Sequence, residues 1–170
     1  MDDRGQEFIQ YIPRLRRYAR ALTGDRARAD DLVQDTLERA LVKLHLWQPG
    51  SDLRAWLFTL MHNVFINQLR SQSARVTAEL DDEAAQVAVR PTQTDWLELR
   101  DLQATLLRLP EEQREVLLLV GLEQMSYEET AGALGIPVGT VMSRLSRARE
   151  RLRGLLAGGA MPAAALKVVK

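Results

Sequence analysis

Side chains able to read DNA are concentrated in one predicted helix near the C-terminal end of the chain. Between residues 138 and 153, five arginines and three hydroxyl side chains surround an apolar stripe of Val141, Leu145, Ala148 and Leu152. The stripe predicts a helix that buries one face. An α-helix fits the DNA major groove, where arginine pairs with guanine and serine or threonine bonds bases or phosphates. We therefore expect the exposed face to read DNA, with the contacts made by Thr140, Met142, Ser143, Arg144, Ser146, Arg147 and Arg149.

A short helix and a glycine turn are predicted just before this basic helix. Ser126 and Glu129 have the spacing of a capping box, which starts a helix near residue 127. Gly135 suits a left-handed C-terminal residue, and Pro137 suits the entry to the next helix. The pattern predicts a helix-turn-helix. An arginine-rich helix alone could equally be a solvated surface or bind an acidic protein, but the capped helix and turn favour DNA.

The distribution of charge and the composition favour a DNA-binding protein over an enzyme or a membrane protein. The net charge is zero, yet residues 136–170 carry +6 and residues 101–135 carry −5, which places the basic charge on the predicted DNA-reading helix. The chain has no cysteine, and its two histidines lack metal-ligand spacing. We found no nucleophile–base pair or phosphate loop, so we expect a non-enzyme without cofactor or metal. The polar start and the lack of a long apolar run predict a cytoplasmic protein with no membrane contact.

An acidic face is predicted on the helix that follows Asp25. Asp31, Asp35 and Glu38 lie at i, i+4 and i+7, beside Gln34. Carboxylates at this spacing repel one another, so a basic partner is expected, although a solvated acidic face is the alternative. The preceding helix carries Arg14, Arg16, Arg17 and Arg20, which are predicted to form a solvated basic face.

The next helix, from residue 53 to residue 70, has two distinct faces. Its predicted inward residues are Trp56, Leu57, Leu60, Val64 and Leu69. Asn63, Asn67 and Arg70 share a different face, and the turn-rich segment 47–52 precedes the helix. The spacing of the two asparagines also fits polar side chains that only face solvent on an amphipathic helix.

The helical spacing of apolar residues ends after residue 70. This predicts a flexible linker between two small all-α helical domains. The expected boundaries are 1–72 for the first domain, 73–94 for the linker, 95–157 for the second domain and 158–170 for a disordered tail. The second domain is expected to be a four-helix bundle that ends in the helix-turn-helix.

The chain resembles the sigma-70 family in its extracytoplasmic-function group. The resemblance rests on Tyr127-Glu-Glu with Gly135-Ile-Pro-Val-Gly-Thr-Val-Met-Ser-Arg-Leu-Ser-Arg-Ala-Arg, on Ala29-Asp-Asp-Leu-Val-Gln-Asp-Thr-Leu, and on Leu109-Pro-Glu-Glu-Gln-Arg. It implies an alternative sigma factor that binds core RNA polymerase, through the β′ clamp helices and the β subunit, and initiates transcription at particular promoters. The segment from Ile12 to Asp25 resembles the general-stress-response branch of the group.

The resemblance also assigns roles to residues. It implies that Asp31, Gln34 and Asp35 contact the β′ clamp helices and that the helix-turn-helix reads the −35 element. For recognition and melting of the −10 element it implies a set composed of Trp47, Ser51, Asp52, Asn63, Asn67 and Arg70. Met142 and Ser146 depart from the residues that many relatives carry, so the promoter sequence cannot be transferred. An anti-sigma factor is a further expected partner.

Two other functions remain possible from the sequence. The first is a sigma mimic, which would use the same fold to sequester an anti-sigma factor without reading promoters. The second is a dimeric helix-turn-helix repressor, which would leave the acidic face and the asparagine face unused.

Overall fold

The computed structural model describes residues 3–78 and 94–158, with the backbone alone for residue 78 and residues 94–99. The described helices are α1 (Asp3–Ile9), α2 (Ile12–Thr23), α3 (Arg26–Lys43), α4 (Leu53–Ala78), α5 (Thr94–Leu107), α6 (Glu111–Gly121), α7 (Tyr127–Leu134) and α8 (Val138–Leu156), with a 3-10 turn at Leu44–Leu46. These residues contain no strand, which confirms the all-α prediction. We call residues 3–78 the first half and residues 94–158 the second half.

The predicted helix ends are formed by local hydrogen bonds. The Asp25 carboxylate caps α3 by accepting from the Ala27 amide at 2.8 Å, and Gly24 ends α2 in the left-handed conformation with φ 68°. The Ser126–Glu129 capping box is present, and Gly135 ends α7 with φ 66°. α8 then begins at Val138, directly after Pro137. The capping box and the left-handed Gly135 are the ends that the sequence predicted for the first helix of the helix-turn-helix.

The core of the first half lies between α2, α3 and α4. Its buried apolar side chains include Leu15, Leu22, Leu32, Leu57 and Val64. α1 closes one side, where Phe8 packs edge-to-face on the half-buried Trp56 with ring centroids 6.2 Å apart. α4 therefore buries its predicted face.

The second half packs α8 against α6 and α7. Val141, Leu145 and Ala148 of α8 are buried, together with Val116 and Leu119 of α6. This confirms three residues of the predicted stripe of the basic helix, while the fourth, Leu152, is half-buried.

The two halves are packed against each other. α4 contacts α7, while α2 contacts α5 and α6, and one hydrophobic cluster runs through both halves. Phe58, Met61 and Phe65 are buried on the side of α4 that also carries Arg54 and His62, since they lie at helical spacing from these residues.

The helix predicted over residues 53–70 is longer in the structure, because α4 continues to Ala78, and α5 begins at Thr94. Residues 70–77 are all exposed, so this part of α4 lies beyond the core and shows no apolar period. The rest of the predicted linker, residues 79–93, and most of the predicted tail, residues 159–170, lie outside the described residues.

Candidate nucleic-acid and protein-binding surfaces

α8 presents most of its predicted DNA contacts to solvent. Met142 is 53% exposed, and Ser143, Ser146, Arg147 and Arg149 are exposed as well. Thr140 is half-buried, and its carbonyl accepts a hydrogen bond from the Ser143 hydroxyl at 3.1 Å. Hydroxyl and guanidinium groups thus share one free surface, on which donors can reach bases or phosphates.

Arg144 differs from the other arginines of α8. Only 26% of its side chain is exposed, and its Nη2 lies 3.7 Å from the Glu112 Oε2 of α6. This guanidinium therefore lies at the edge of the exposed α8 face, beside α6.

The acidic stripe of α3 consists of four exposed residues, Asp31, Gln34, Asp35 and Glu38. Its hydrogen bonds are to amides: Gln34 donates to Glu38 at 3.3 Å, and Gln68 of α4 donates to Asp35 at 2.8 Å. Within the described part of the chain, no basic side chain pairs with the three carboxylates of the stripe. The negative charge of this surface is thus available to a partner.

The residues expected at the −10 element lie in two places. Asn63, Asn67 and Arg70, which we call the −10 face, are exposed on the side of α4 away from Arg54. Ser51 and Asp52 are exposed in the loop before α4, where Ser51 donates to the Gln48 carbonyl at 2.7 Å and Asp52 accepts from the Ala55 amide at 3.2 Å.

Trp47, which belongs to the predicted −10 set, is buried in the structure. Its side chain is in the core and the residue is only 9% exposed. The ring follows directly on the 3-10 turn and supplies apolar surface that the first half buries. Its Nε1 has no hydrogen-bond partner in the described structure. The exposed part of this loop is therefore residues 48–52.

A buried carboxylate joins the two halves, and no local sequence pattern indicated it. The Glu123 side chain has no solvent exposure, and its Oε2 and Oε1 accept from Arg14 Nε at 3.0 Å and Arg17 Nη2 at 3.2 Å. Arg14 and Arg17 remain 36% and 54% exposed, so the predicted solvated face of α2 is present, but these two arginines also pair with Glu123, which the sequence did not indicate. A buried charge requires such partners, because its desolvation is otherwise unfavourable.

Further polar contacts surround this pair. Arg54 lies 3.1 Å from Glu129 and donates to the Glu123 carbonyl at 3.3 Å, and it also approaches Asp52 at 3.8 Å. His62 Nδ1 lies 2.8 Å from the nearly buried Glu115 carboxylate. Each of these contacts, apart from that with Asp52, connects one half of the chain to the other.

Arg114 also connects the halves, because its guanidinium donates hydrogen bonds to backbone carbonyls of both. It donates to the carbonyls of Leu106, Leu107 and Leu109 in its own half and to that of Leu22 at the end of α2, at 2.7 Å. Burial lowers the pKa of this guanidinium from its ordinary value. The carbonyls at the ends of α2 and α5 would otherwise lack donors.

Tyr18 lies at the same junction. It is 2% exposed and packs edge-to-face on Phe58 at 5.0 Å between ring centroids. Burial raises the pKa of Tyr18 well above its ordinary value, and the charges of Glu115 and Glu123 raise it further. The phenol is therefore kept neutral beside two carboxylates from the other half.

The described residues contain no cluster of three or more potential metal ligands. None of the described helices has both the length and the apolarity that crossing a bilayer requires.

Two family models match the chain. Residues 8–62 match the family described as "Sigma2 domain of PhyR", and residues 99–152 match "Sigma-70, region 4". The first match covers α2, α3 and the first part of α4, and the second covers most of α5 and nearly all of the helix-turn-helix.

Curated relatives span nearly the whole chain. It is 43% identical over 155 residues to the ECF RNA polymerase sigma factor EcfG of Rhodopseudomonas palustris (strain TIE-1), covering 91% of this chain and 86% of the relative. It is 34% identical over 151 residues to the ECF RNA polymerase sigma factor SigM of Mycobacterium tuberculosis (strain ATCC 25618 / H37Rv), covering 89% and 76%.

Solved structures give the same result. The sigma factor RpoE, in its complex with the anti-sigma factor NepR from Bartonella quintana, superimposes with a TM-score of 0.83 at 39% identity, covering 94% of this chain and all of that chain. CnrH, in complex with the cytosolic domain of CnrY, gives 0.68 at 29% identity over 92% and 88% of the two chains. The anti-anti-sigma factor PhyR of Bartonella quintana shares the fold, with a TM-score of 0.59 at 18% identity, and this chain covers 48% of it. The protein therefore belongs to the extracytoplasmic-function group of the sigma-70 family, the RNA polymerase sigma factors that direct promoter-specific initiation of transcription.

Proposed function

We propose that this sigma factor docks on core RNA polymerase through the acidic stripe of α3, reads the −35 element with α8 and engages the −10 element with the −10 face and residues 51–52. The observation that carries the proposal is that all three surfaces are exposed on one chain, with opposite charge on the first two. Acidic α3 suits a basic protein surface, whereas α8 suits DNA.

Docking on polymerase is supported by the unpaired charge of the acidic stripe. Gln68 holds the Asp35 carboxylate from α4 by a neutral hydrogen bond, which leaves its charge uncompensated. Basic side chains on the β′ clamp helices would supply that compensation. A partner that pairs Asp31 and Asp35 would also relieve the repulsion within the stripe.

Reading of the −35 element is assigned to the exposed face of α8. Arg147 and Arg149 reach solvent, so either can form a bidentate pair with guanine. Arg144 contributes from the edge of this face, beside Glu112. The Met142 side chain is apolar and uncharged. It can make an apolar contact with DNA, but it cannot form the pair with a base or a phosphate that an amine or a guanidinium at this position would form.

Engagement of the −10 element is assigned to Ser51, Asp52, Asn63, Asn67 and Arg70. Melting takes bases out of the stack, and exposed amides and a guanidinium can then hold the displaced strand. Trp47 is removed from this set, because its ring supports the loop from within the core.

The packed arrangement of the halves has to open for both elements to be bound. Elements about 35 and about 10 base pairs upstream are about 25 base pairs apart, or about 85 Å of duplex at about 3.4 Å per base pair. A compact chain of this length has a radius of gyration of only about 15 Å. The two DNA-binding surfaces therefore cannot reach both elements while the halves stay together.

An anti-sigma factor is a further proposed partner. The structures of RpoE and CnrH, at 39% and 29% identity, each contain the sigma factor bound to such a protein or its domain. We assign this chain the same mode of control. We also place it in the general-stress-response branch, on the strength of the segment from Ile12 to Asp25.

A sigma mimic is the second candidate, because residues 8–62 match a domain description that names PhyR. Against it, identity is 43% to the sigma factor EcfG and 18% to PhyR itself. The arginines of α8 would also have no purpose in a protein that does not read DNA.

Footprinting of the assembled holoenzyme on a promoter fragment tests the proposal. We expect protection of the −35 region together with permanganate-reactive thymines near −10. Protection without melting would contradict the −10 assignment alone, whereas binding to an anti-sigma factor without any association with core polymerase or promoter DNA would favour the mimic.

A further inference from the structure

We infer that Arg14, Arg17 and Arg54 form a binding site for nucleic-acid phosphate groups, which Glu123 and Glu129 fill while the two halves are packed together. The inference rests on the proposed opening of the chain. It assigns a second role to side chains that otherwise serve only to join the halves.

The geometry of the three guanidiniums is that of an anion site. Arg14 and Arg17 each donate to a different oxygen of the Glu123 carboxylate, at 3.0 and 3.2 Å, and Arg54 reaches Glu129 at 3.1 Å. Arginine makes the same charge-assisted hydrogen bonds to phosphate oxygens as to carboxylate oxygens. The acidic side chains thus stand where phosphates would bind.

Opening of the chain leaves this cluster without its main anions. Glu123 and Glu129 belong to the second half, whereas all three arginines belong to α2 and α4 of the first half. Among the first-half carboxylates, only Asp52 pairs with any of the three, at 3.8 Å from Arg54. Three like charges would then face solvent together, and a polyanion would be attracted to them.

The position of Arg54 indicates which part of the promoter DNA the arginine site would bind. It lies in the first turn of α4, two residues after Asp52 of the proposed −10 loop. A melted strand held by that loop would therefore pass next to the cluster. We assign the site to the single strand at the −10 element rather than to duplex DNA.

A salt titration of DNA binding by the full chain is the first test. The probe is a fluorescent single-stranded −10 oligonucleotide, with the matching duplex as a second arm. Glu123→Gln removes the charge that fills the site and leaves the Glu129 cap of α7 intact. We expect several-fold tighter binding of the single strand and a steeper dependence on salt, by about 0.7 in the slope of log K against log salt for each phosphate engaged.

The gain should disappear when Arg14→Ala and Arg17→Ala are added to Glu123→Gln. Arg16→Ala with Arg20→Ala is the matched control, because these arginines lie on α2 outside the cluster, and it should keep the gain. An equal gain for the duplex would mean a general duplex-binding surface and would overturn the assignment to the single strand.

A second measurement does not depend on how far Glu123→Gln opens the chain. Holoenzyme is assembled on a pre-melted promoter fragment, where the halves are already apart, and the salt dependence of binding is compared between the two double-alanine variants. Loss of Arg14 and Arg17 should lower the slope by about 1.4, for two single-strand phosphates. Equal slopes for both variants, in a holoenzyme that transcribes, would overturn the inference and leave the proposed function standing.

Discussion

Arg14 Nε lies 3.0 Å from Glu123 Oε2, although the two residues are 109 positions apart in the chain. The Glu123 side chain is completely buried at this contact, and Arg17 pairs with its other oxygen. The two halves of the protein therefore meet around a buried, fully paired charge. Only the carboxylate is buried, since Arg14 and Arg17 remain 36% and 54% exposed, so the loss of both arginines would leave Glu123 buried without compensation for its desolvation.

The first prediction is that Glu123→Ala shifts the chain toward separated halves, since Arg14 and Arg17 would then lack their anion in the packed form. The protein has no cysteine, so Glu7→Cys and Arg151→Cys allow donor and acceptor dyes to be placed on α1 and α8 without background labelling. We expect a lower energy-transfer efficiency in the variant. Glu128→Ala, at an exposed position of α7, should leave the efficiency unchanged. Equal efficiencies for the two substitutions would remove Glu123 from the contact that holds the halves.

The second prediction concerns Gly24, which ends α2 beneath a side chain of the other half. A Cβ at Gly24 would overlap Leu107 of α5, with its Cγ at 2.9 Å, in addition to the strain of φ 68°. Gly135 has the same strain at φ 66° but open space around it. Each alanine costs about 1–2 kcal/mol of backbone strain, and we expect Gly24→Ala to cost about 0.5–1.5 kcal/mol more, because the 38% exposed Leu107 side chain has to leave its preferred rotamer.

Urea unfolding of the two glycine variants measures this difference, and Leu107→Ala in the Gly24→Ala background should recover most of it. If Gly24→Ala and Gly135→Ala lose the same free energy of unfolding, the close contact between α2 and α5 does not constrain the fold.

The third prediction is that Arg147→Ala weakens binding to a −35 duplex by about 1–3 kcal/mol, the range for one lost base contact. Arg147 is exposed on α8 and is free of the contact to Glu112 that Arg144 makes. Binding should be compared at one fixed salt concentration, with Arg16→Ala as a charge-matched control in the first half. A loss no larger than that of the control would exclude Arg147 from base reading.

The fourth prediction is that Asp31→Lys with Asp35→Lys abolishes association with core polymerase and leaves the fold intact. Both carboxylates are exposed and unpaired by any cation in the described structure, so the change reverses the charge of the docking surface without breaking an ion pair. Co-purification with core enzyme is the readout, and circular dichroism checks the fold. A pair of substitutions at exposed Glu7 and Glu128 controls for net charge. Retained association of the Asp31/Asp35 variant would refute docking through α3.

Much of the local structure followed from residue types, and the arrangement of the halves did not. Ser126, Glu129, Gly135 and Asp25 determine helix ends through short-range hydrogen bonds and backbone preference, which can be predicted from the sequence. The buried stripe of α8 follows from its period. In contrast, the pairing of Glu123 with Arg14 depends on tertiary packing, which no local pattern encodes.

One sequence feature did point to the packed arrangement. α4 is apolar on nearly all sides between Leu53 and Phe65, and a helix of this kind is buried on more than one face. The predicted inward face of α4 did not include Phe58, Met61 and Phe65, which lie on the side nearest the second half. Trp47 was assigned to DNA from the family pattern, but its large apolar ring is buried. The end of α4 was placed too early, because an exposed helical segment has no apolar period to detect.

Transcription start-site mapping with purified core polymerase is the most direct test of the central claim, that this chain directs initiation at its own promoters. Genomic fragments are transcribed with core enzyme alone, with the chain added, and with the Asp31→Lys, Asp35→Lys variant added. We predict starts that appear only with the unmodified chain and that share common sequences near −35 and −10. An absence of chain-dependent starts, under conditions in which the chain is folded and binds core polymerase, would contradict the account.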